Sequence, residues 1–166
     1  MELSDTHVLV ALAVDGYEFP HQQKGHWYDR NWLQVRGRVE VAEHSWTFRA
    51  PCLLTSEARA LADWLDDVAH DRVPAVADER LRQAWTGRDG ALVFLEPALG
   101  FTLREADDAS TVVRVHLAHD AADPRLPEED RRAEPPPFVR VRMARRELVA
   151  AAADWREELR AWPVRD

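Results

Sequence analysis

The stretch Gly16-Tyr17-Glu18-Phe19-Pro20, followed at a short interval by Trp27-Tyr28-Asp29-Arg30-Asn31-Trp32-Leu33, is the most informative part of this chain of 166 residues. Glycine and proline are strong turn formers, so the first part predicts a turn that carries a buried Tyr/Phe pair. The second part predicts an aromatic-rich loop that leads into a strand, with the side chains of Trp27 and Tyr28 packed inward. Neither part carries a catalytic motif.

Strand patterns lie on both sides of this stretch. Residues 7–15 are rich in β-branched and apolar side chains, which is typical of a short strand covered on both faces. Residues 32–41 alternate between apolar and polar side chains. Residues 42–45 form a polar turn, and residues 45–49 return along the preceding strand. This part of the chain therefore predicts a strand followed by a hairpin.

The second half of the chain repeats the alternating pattern. The predicted strands cover residues 91–96, 99–105, 111–119 and 138–143. The first two would form a hairpin around Pro97-Ala98, and an acidic turn over residues 106–110 leads into the third. Residues 120–137 are charged and rich in proline, so they are predicted to form a long, mobile surface loop.

Two amphipathic helices are also predicted. The first covers residues 56–70, with Thr55 or Ser56 as its N-cap, and Pro74 follows its end. The second covers residues 145–162, where apolar side chains recur at helical spacing. The apolar stripe of this second helix consists of Leu148, Ala152, Trp155, Leu159 and Trp162.

The order βββ-α-ββββ-α, with connections of hairpin length, predicts a single α+β domain over residues 1–166. We expect a single antiparallel β-sheet of about six or seven strands with the two helices packed on one face. The sheet face predicted to lie under the helices consists of Leu33, Val35, Val113, Val115, Val139 and Val141. Trp155 in the last helix is predicted to be buried against this face.

The composition indicates a folded cytoplasmic protein. The hydrophobic fraction is 46%, which is typical of a globular chain. Cys52 is the single cysteine, so no intrachain disulfide can form, in keeping with a reducing compartment. No apolar run approaches the roughly 20 residues that a membrane-spanning helix needs. The amino-terminal residues lack the pattern of a signal peptide, so we expect a cytoplasmic location without membrane association.

The formal net charge of −8 bears on the partners of the protein. Nonspecific binding of nucleic acid depends on basic patches, so direct nucleic-acid binding is not expected. A negative protein attracts a basic partner during association. Solubility alone is a second explanation of the same charge, and the sequence does not separate the two.

No metal site or cofactor site is predicted. His116 and His119 are three residues apart on a predicted strand, so their side chains point to opposite faces and do not converge as zinc ligands must. His21 and His26 flank a loop near Asp29, which we interpret as a solvated loop. The chain is therefore expected to hold no metal.

The sequence does not predict an enzyme either. It lacks the Gly-x-Ser-x-Gly motif of serine hydrolases and a glycine-rich phosphate loop. Its carboxylates are numerous and scattered, so no pair stands out as a general acid and base. A role in binding is the remaining interpretation.

Arginine recurs on the polar side of nearly every predicted strand. The residues are Arg36, Arg38, Arg49, Arg104, Arg114, Arg140 and Arg142. On one sheet they would line a single face. One interpretation is an exposed face with cross-strand Arg–Glu pairs, for example with Glu40. The other is a surface that meets an anionic patch of a partner.

Four segments resemble a known family. They are residues 16–20, residues 28–33, the Pro51-Cys52-Leu53-Leu54-Thr55 segment leading to residues 61–65, and Phe94-Leu95-Glu96-Pro97-Ala98-Leu99-Gly100-Phe101. These segments are similar to the WapI family of immunity proteins, whose hairpin carries a Glu-Pro-x-Leu-x-Phe pattern. The similarity extends to about His119 and, more loosely, to the last strand and helix, while residues 120–137 match no motif.

The resemblance implies a cytosolic protein that binds and blocks the C-terminal domain of a large, secreted, contact-delivered toxin. Such toxins are often nucleases. The family motifs supply no catalytic or binding residues. We expect binding through acidic surface outside those motifs, and the candidate residues are Glu105, Asp107, Asp108, Glu128, Glu129 and Asp130. An alternative is a small ligand-binding or regulatory module that uses the arginine-lined face. The sequence leaves open whether the protein is a monomer or a homodimer.

Overall fold

The computed structural model describes residues 1–21 and 26–166 and contains two four-stranded antiparallel sheets. The strands of the first sheet, in spatial order, are β1 (Glu2–Ser4), β2 (Val8–Tyr17), β3 (Trp32–Val41) and β4 (His44–Leu54). Those of the second sheet are β5 (Ala91–Val93), β6 (Leu99–Ala106), β7 (Ser110–Leu117) and β8 (Phe138–Ala144). Within each sheet, every strand pairs with its neighbour in the chain.

Among the described residues, one short helix interrupts each sheet along the chain, and the other helices follow the strands of a sheet. They are α1 (Trp27–Asn31), α2 (Thr55–Ala69), α3 (Leu81–Gly87), α4 (Glu128–Arg131) and α5 (Arg145–Glu158). Single turns of 3-10 helix occur at Asp78–Arg80, His119–Ala121 and Leu159–Ala161. The predicted α+β class is confirmed, but the prediction of one sheet is wrong. Alternation shows which face of a strand is buried and not which strands pair, and here α2 and α3 separate β4 from β5 along the chain.

The first sheet has one buried and one exposed face. The fully buried side chains along β3 are Leu33, Val35 and Val39, while Arg36 and Arg38 are exposed. Gly37 also faces inward, and the Phe48 ring of β4 occupies the space that its side chain would fill. β4 lies at one edge of this sheet and contains Pro51. The chain therefore presents one polar sheet face to solvent.

The second sheet is covered on one face and partly covered on the other, where Arg140 and Arg142 of β8 stay exposed. One face meets the same core as the first sheet, and every residue of β7 after Ser110 is buried. The other face is partly covered by residues 74–87, including α3. Trp85 of α3 lies over Gly100, where a Cβ atom would overlap the indole ring. The predicted pattern missed α3, because residues 71–90 have neither a long apolar stripe nor an alternation.

The helices α2 and α5 pack against each other and over the core shared by the two sheets. Trp155 is fully buried, and its Nε1 donates to the backbone oxygen of Ala58 in α2 at 2.7 Å. The predicted face lies in this core: Leu33, Val35, Val113, Val115 and Val141 are 0% exposed, and Val139 is partly buried against them. The burial of these residues is confirmed, although they come from two sheets.

Three details of the predicted elements differ in the structure. The N-cap position of α2 is Leu54, whose backbone N–H donates to the Glu57 carboxylate at 2.9 Å. Thr55 instead donates its hydroxyl to Asn31. The second predicted helix ends at Glu158 and continues as the 3-10 turn. The predicted loop over residues 120–137 contains α4, and its first residues are anchored by the Trp46 Nε1 donor on the Ala121 oxygen at 3.0 Å.

The aromatic stretch also differs from the prediction. Residues 27–31 form a short helix, and Trp27 and Tyr28 are 37% and 51% exposed instead of packed inward. Asn31 is fully buried, and its side-chain amide donates to the backbone oxygens of Trp27 and Arg165, both at 2.9 Å. Asn31 therefore has a structural role. Of the predicted buried pair, Tyr17 is buried, whereas Phe19 is 40% exposed. The loop segment 22–25 lies outside the described residues.

Candidate partner-binding surfaces

Three of the predicted binding residues lie where β6 connects to β7: Glu105 is in the last residues of β6, and Asp107 and Asp108 are in the turn. Glu105 pairs with Arg142 at 2.6 Å. Asp107 accepts hydrogen bonds from the backbone of Ala109 at 2.8 Å and of Ser110 at 2.7 Å, which lower the pKa of its carboxyl. Asp108 is exposed and forms no ion pair with any residue that the structure describes. Asp107 therefore shapes the turn, and Asp108 is the carboxylate left for a partner.

The remaining three predicted residues lie in the short helix α4. All are exposed. Glu128 pairs with Arg132 at 2.7 Å. Glu129 and Asp130 have no ion-pair partner within residues 1–21 and 26–166. This helix thus offers two carboxylates to a partner.

The two acidic groups connect to opposite ends of β7. The turn precedes the first residue of β7, and the segment that contains α4 follows the last one. Both ends of that segment are tied to the far end of the strand, because Leu117 N–H donates to Pro137 and Ala118 N–H donates to Ala98, each at 2.9 Å. An eight-residue strand is about 23 Å long at 3.3 Å per residue. A partner that contacts one group does not automatically reach the other.

The arginine side chains do not share a single face. Arg36 and Arg49 are opposite each other on the exposed face of the first sheet, and both pair with Asp15, at 3.6 and 2.9 Å. Arg38 pairs with Glu40 at 3.4 Å on the same face. The other four arginines belong to the second sheet. The continuous arginine-lined face that the sequence suggested is therefore absent from the described residues.

Three arginines of the second sheet surround Asp78. Arg104 and Arg140 lie 3.4 and 3.3 Å from its carboxylate, and Arg114 donates a hydrogen bond to it. This hydrogen bond and the positive charges lower the pKa of Asp78. Arg114 is 0% exposed, so it cannot touch a partner. Its bond to Asp78 instead fixes residues 74–87 over the second sheet. Sequence reasoning missed Asp78, because nothing in residues 71–80 predicts their packing onto the sheet.

The buried polar contacts continue from Arg114 into β6 and β7. Its guanidinium also reaches Thr102 at 3.4 Å, and the Thr102 hydroxyl lies 3.0 Å from His116 Nε2. His116 Nδ1 lies 3.2 Å from the Pro136 oxygen. Burial lowers the pKa of His116 to about 4. With both ring nitrogens engaged inside the protein, His116 is a structural group.

The remaining histidines and the cysteine form no metal site or nucleophile among the described residues. His119 lies outside β7, while His21 and His26 are exposed. Among the described residues, no group of three or more His, Cys, Asp or Glu side chains is placed to hold a metal ion. Burial raises the pKa of the Cys52 thiol to about 12, so this thiol does not supply a thiolate nucleophile at neutral pH.

A groove of about 310 Å³ opens between the β3–β4 turn and the segment after β7. Its apolar lining includes Trp46, Leu126 and Phe138. The His44 ring stacks on Trp46 with 5.4 Å between centroids, and its Nε2 lies 3.2 Å from Asp123. Hydrogen bonds from Arg125 lower the pKa of Asp123 to about 2. A carboxyl so acidic is poorly matched to proton transfer at neutral pH. The groove is therefore better suited to binding a partner than to acid–base catalysis.

None of the helices in the described part of the chain has the length and apolar character needed to cross a membrane.

A family model described as the immunity protein WapI-like family matches residues 2–163. The searches found no match among curated proteins and none among solved structures. The family match therefore spans both sheets and all five helices.

Proposed function

The chain belongs to the WapI-like family of immunity proteins, and from this premise we propose that it binds and neutralises the C-terminal domain of a secreted, contact-delivered toxin. The family match over residues 2–163 is the observation that carries the proposal. The proposed site of action is the cytoplasm of the producing cell. The role is binding, and the protein catalyses no reaction of its own.

The charge of the protein supports a nuclease as the toxin. A nuclease presents a basic face to its substrate, and the net charge of −8 favours association with such a face. We propose that the contact uses acidic surface outside the shared motifs. The candidates remain Glu105, Asp107, Asp108, Glu128, Glu129 and Asp130.

Within this set, three residues are best placed to meet a partner. Asp108, Glu129 and Asp130 are exposed and free of ion pairs in the described structure. Glu105, Asp107 and Glu128 are already engaged with Arg142, the turn backbone and Arg132. Charge pairing of this kind accelerates association and gives specificity more than affinity.

Neutralisation in cells tests the proposed function. The probe is the C-terminal domain of a long, repeat-rich reading frame beside the gene for this chain. Cells that express that domain should stop growing, and co-expression of this chain should restore growth. The purified proteins should form a complex in titration calorimetry. Continued toxicity together with the absence of a complex would refute the proposal for that toxin.

Charge reversal then tests the acidic surface, one group at a time. Asp108→Lys probes the turn, and the pair Glu129→Lys and Asp130→Lys probes α4. If a group contacts the toxin domain, reversing its charge should slow association of the two proteins by about 10-fold at low salt. The association rate should also become less dependent on salt. Arg38→Glu on the exposed sheet face is the matched control. If both acidic variants associate normally and Arg38→Glu does not, the contact is the first sheet.

A further inference from the structure

The stretch of residues 16–33 contains three exposed aromatic side chains. Phe19, Trp27 and Tyr28 are 40%, 37% and 51% exposed. They are three of the five large apolar side chains that are exposed in the described residues. The Trp27 and Tyr28 rings meet edge to face, with 5.5 Å between centroids. Aromatic residues are enriched in the central contacts of protein interfaces, so this grouping calls for an explanation.

The carboxyl-terminal residues hold this region in place. The Arg165 guanidinium lies 3.4 Å from the Tyr17 ring centroid and donates to the Phe19 oxygen at 3.2 Å. The Arg165 backbone bonds to Asn31 through both its N–H and its oxygen, at 2.8 and 2.9 Å. The turn and α1 are therefore fixed to the same residue. A surface that is already ordered loses less entropy when it binds.

The charges beside the aromatic rings identify the kind of partner. Glu18 and Asp29 are both partly buried. Burial, followed by the negative charge of Asp29, raises the pKa of the Glu18 carboxyl. Neither carboxylate has an ion-pair partner within the described residues, whereas Arg30 and Arg165 donate to the backbone oxygens of Asp166 and Phe19. A cation placed here would relieve the repulsion between the carboxylates. Phe19 and Tyr28 directly adjoin Glu18 and Asp29 in the chain, which makes aromatic side chains available to the same cation.

We infer that Phe19, Trp27 and Tyr28, with Glu18 and Asp29 beside them, form a docking surface for a lysine or arginine side chain of the toxin domain. This inference rests on the proposed function and adds a contact that the acidic turn and α4 do not provide. The aromatic rings supply apolar area and cation–π contact, and the carboxylates supply the charge.

Alanine substitution tests the aromatic part, with the same toxin domain as the probe. Trp27→Ala and Tyr28→Ala should each weaken binding by at least about 30-fold, mainly through faster dissociation. Val149→Ala is the matched control, because Val149 is 40% exposed and lies near the start of α5, where Arg145 contacts Ala69 at the end of α2. Asn31 of α1 contacts the opposite end of α2 at Thr55, so Val149→Ala should bind within about 2-fold of the wild type. Thermal unfolding of both aromatic variants should match the wild type, since the removed groups are exposed.

The double variant Glu18→Gln, Asp29→Asn tests the charge. It should slow association by about 5-fold at low salt and much less at high salt. If the wild type binds the toxin domain and the aromatic variants bind it with the same affinity, the inference is overturned while the proposed function stands. Loss of binding in the aromatic variants without any effect of the double variant would exclude a cationic contact. No wild-type binding at all would be a failure of the proposed function. Wild-type dimers that dissociate in Trp27→Ala would identify a second copy as the occupant and overturn the inference.

Discussion

His116 is an ionisable side chain held uncharged inside the protein. It is 0% exposed, and burial lowers its pKa from 6.5 to about 4. Between these values the unfolded chain binds a proton that the folded chain does not bind. Folding stability is therefore fully present above about pH 6.5 and decreases as the pH falls towards 4.

Unfolding by denaturant as a function of pH measures this effect. The free energy of unfolding should fall by about 3 kcal/mol between pH 7 and pH 4, from a shift of this size at about 1.4 kcal/mol per pKa unit. His116→Gln should start less stable and show a flatter profile in this range. His70→Gln, at a half-exposed histidine, is the control and should keep the wild-type slope. Parallel profiles for His116→Gln and the wild type would contradict the assignment.

Individual residues show where sequence patterns stop being informative. Alternation correctly placed Arg114 on the outer side of its strand. It could not show that residues 74–87 cover that side, because burial of an arginine depends on a partner such as Asp78 far along the chain. Trp27 and Tyr28 show the reverse case, in which side chains predicted to be buried are exposed. Aromatic side chains are usually buried, and their surface position depends on how α1 is anchored.

Among the elements, α5 shows how far helical spacing predicts burial. Its apolar stripe was predicted from spacing, and Leu148, Ala152 and Trp155 are all fully buried. The strands were also predicted, with differences of a few residues at most ends. β4 is the main exception, because it continues through Pro51 to Leu54. Short pieces such as β1 and α4 carry too few residues for a periodic signal.

Trp155→Ala tests the packing of α5 on α2. Removing the indole leaves a cavity and the Ala58 oxygen without its donor, so the free energy of unfolding should fall by roughly 3–5 kcal/mol. Val149→Ala on the same helix is the control, because Val149 is 40% exposed, and it should change stability by less than about 0.5 kcal/mol. Equal denaturation midpoints for Trp155→Ala and the wild type would exclude this packing.

For the whole molecule, the division into two sheets is the largest difference from the sequence prediction. Side-chain patterns identified buried apolar strand residues such as Val35, Val113 and Val141, since burial is a local periodic signal. Strand pairing depends on which edges meet, and edges leave no such signal in one sequence. The predicted acidic residues were correctly placed in exposed positions, but their separation along β7 followed only from the fold.

Asn31 connects distant parts of the molecule. Its side chain accepts from the Arg165 N–H at 2.8 Å and the Thr55 hydroxyl at 3.1 Å, and it donates to two backbone oxygens. Asn31→Ala should therefore lower the free energy of unfolding by about 2–3 kcal/mol, because buried groups lose their partners. Thr55→Val removes one of these bonds and should cost about 1 kcal/mol. A smaller loss for Asn31→Ala than for Thr55→Val in urea unfolding would refute this role.

The position of Pro51 in the edge strand β4 bears on how the protein behaves when it is concentrated. An edge strand offers unpaired backbone groups on which a strand of another molecule can add, and this addition is a route to fibrils. Proline has no N–H to donate, and the 3-10 turn at His119–Ala121 already contacts β4. Both features shorten the stretch that could template such growth. We therefore expect the folded chain to resist fibril formation during overproduction, and Pro51→Val to form thioflavin-positive aggregates sooner than the wild type.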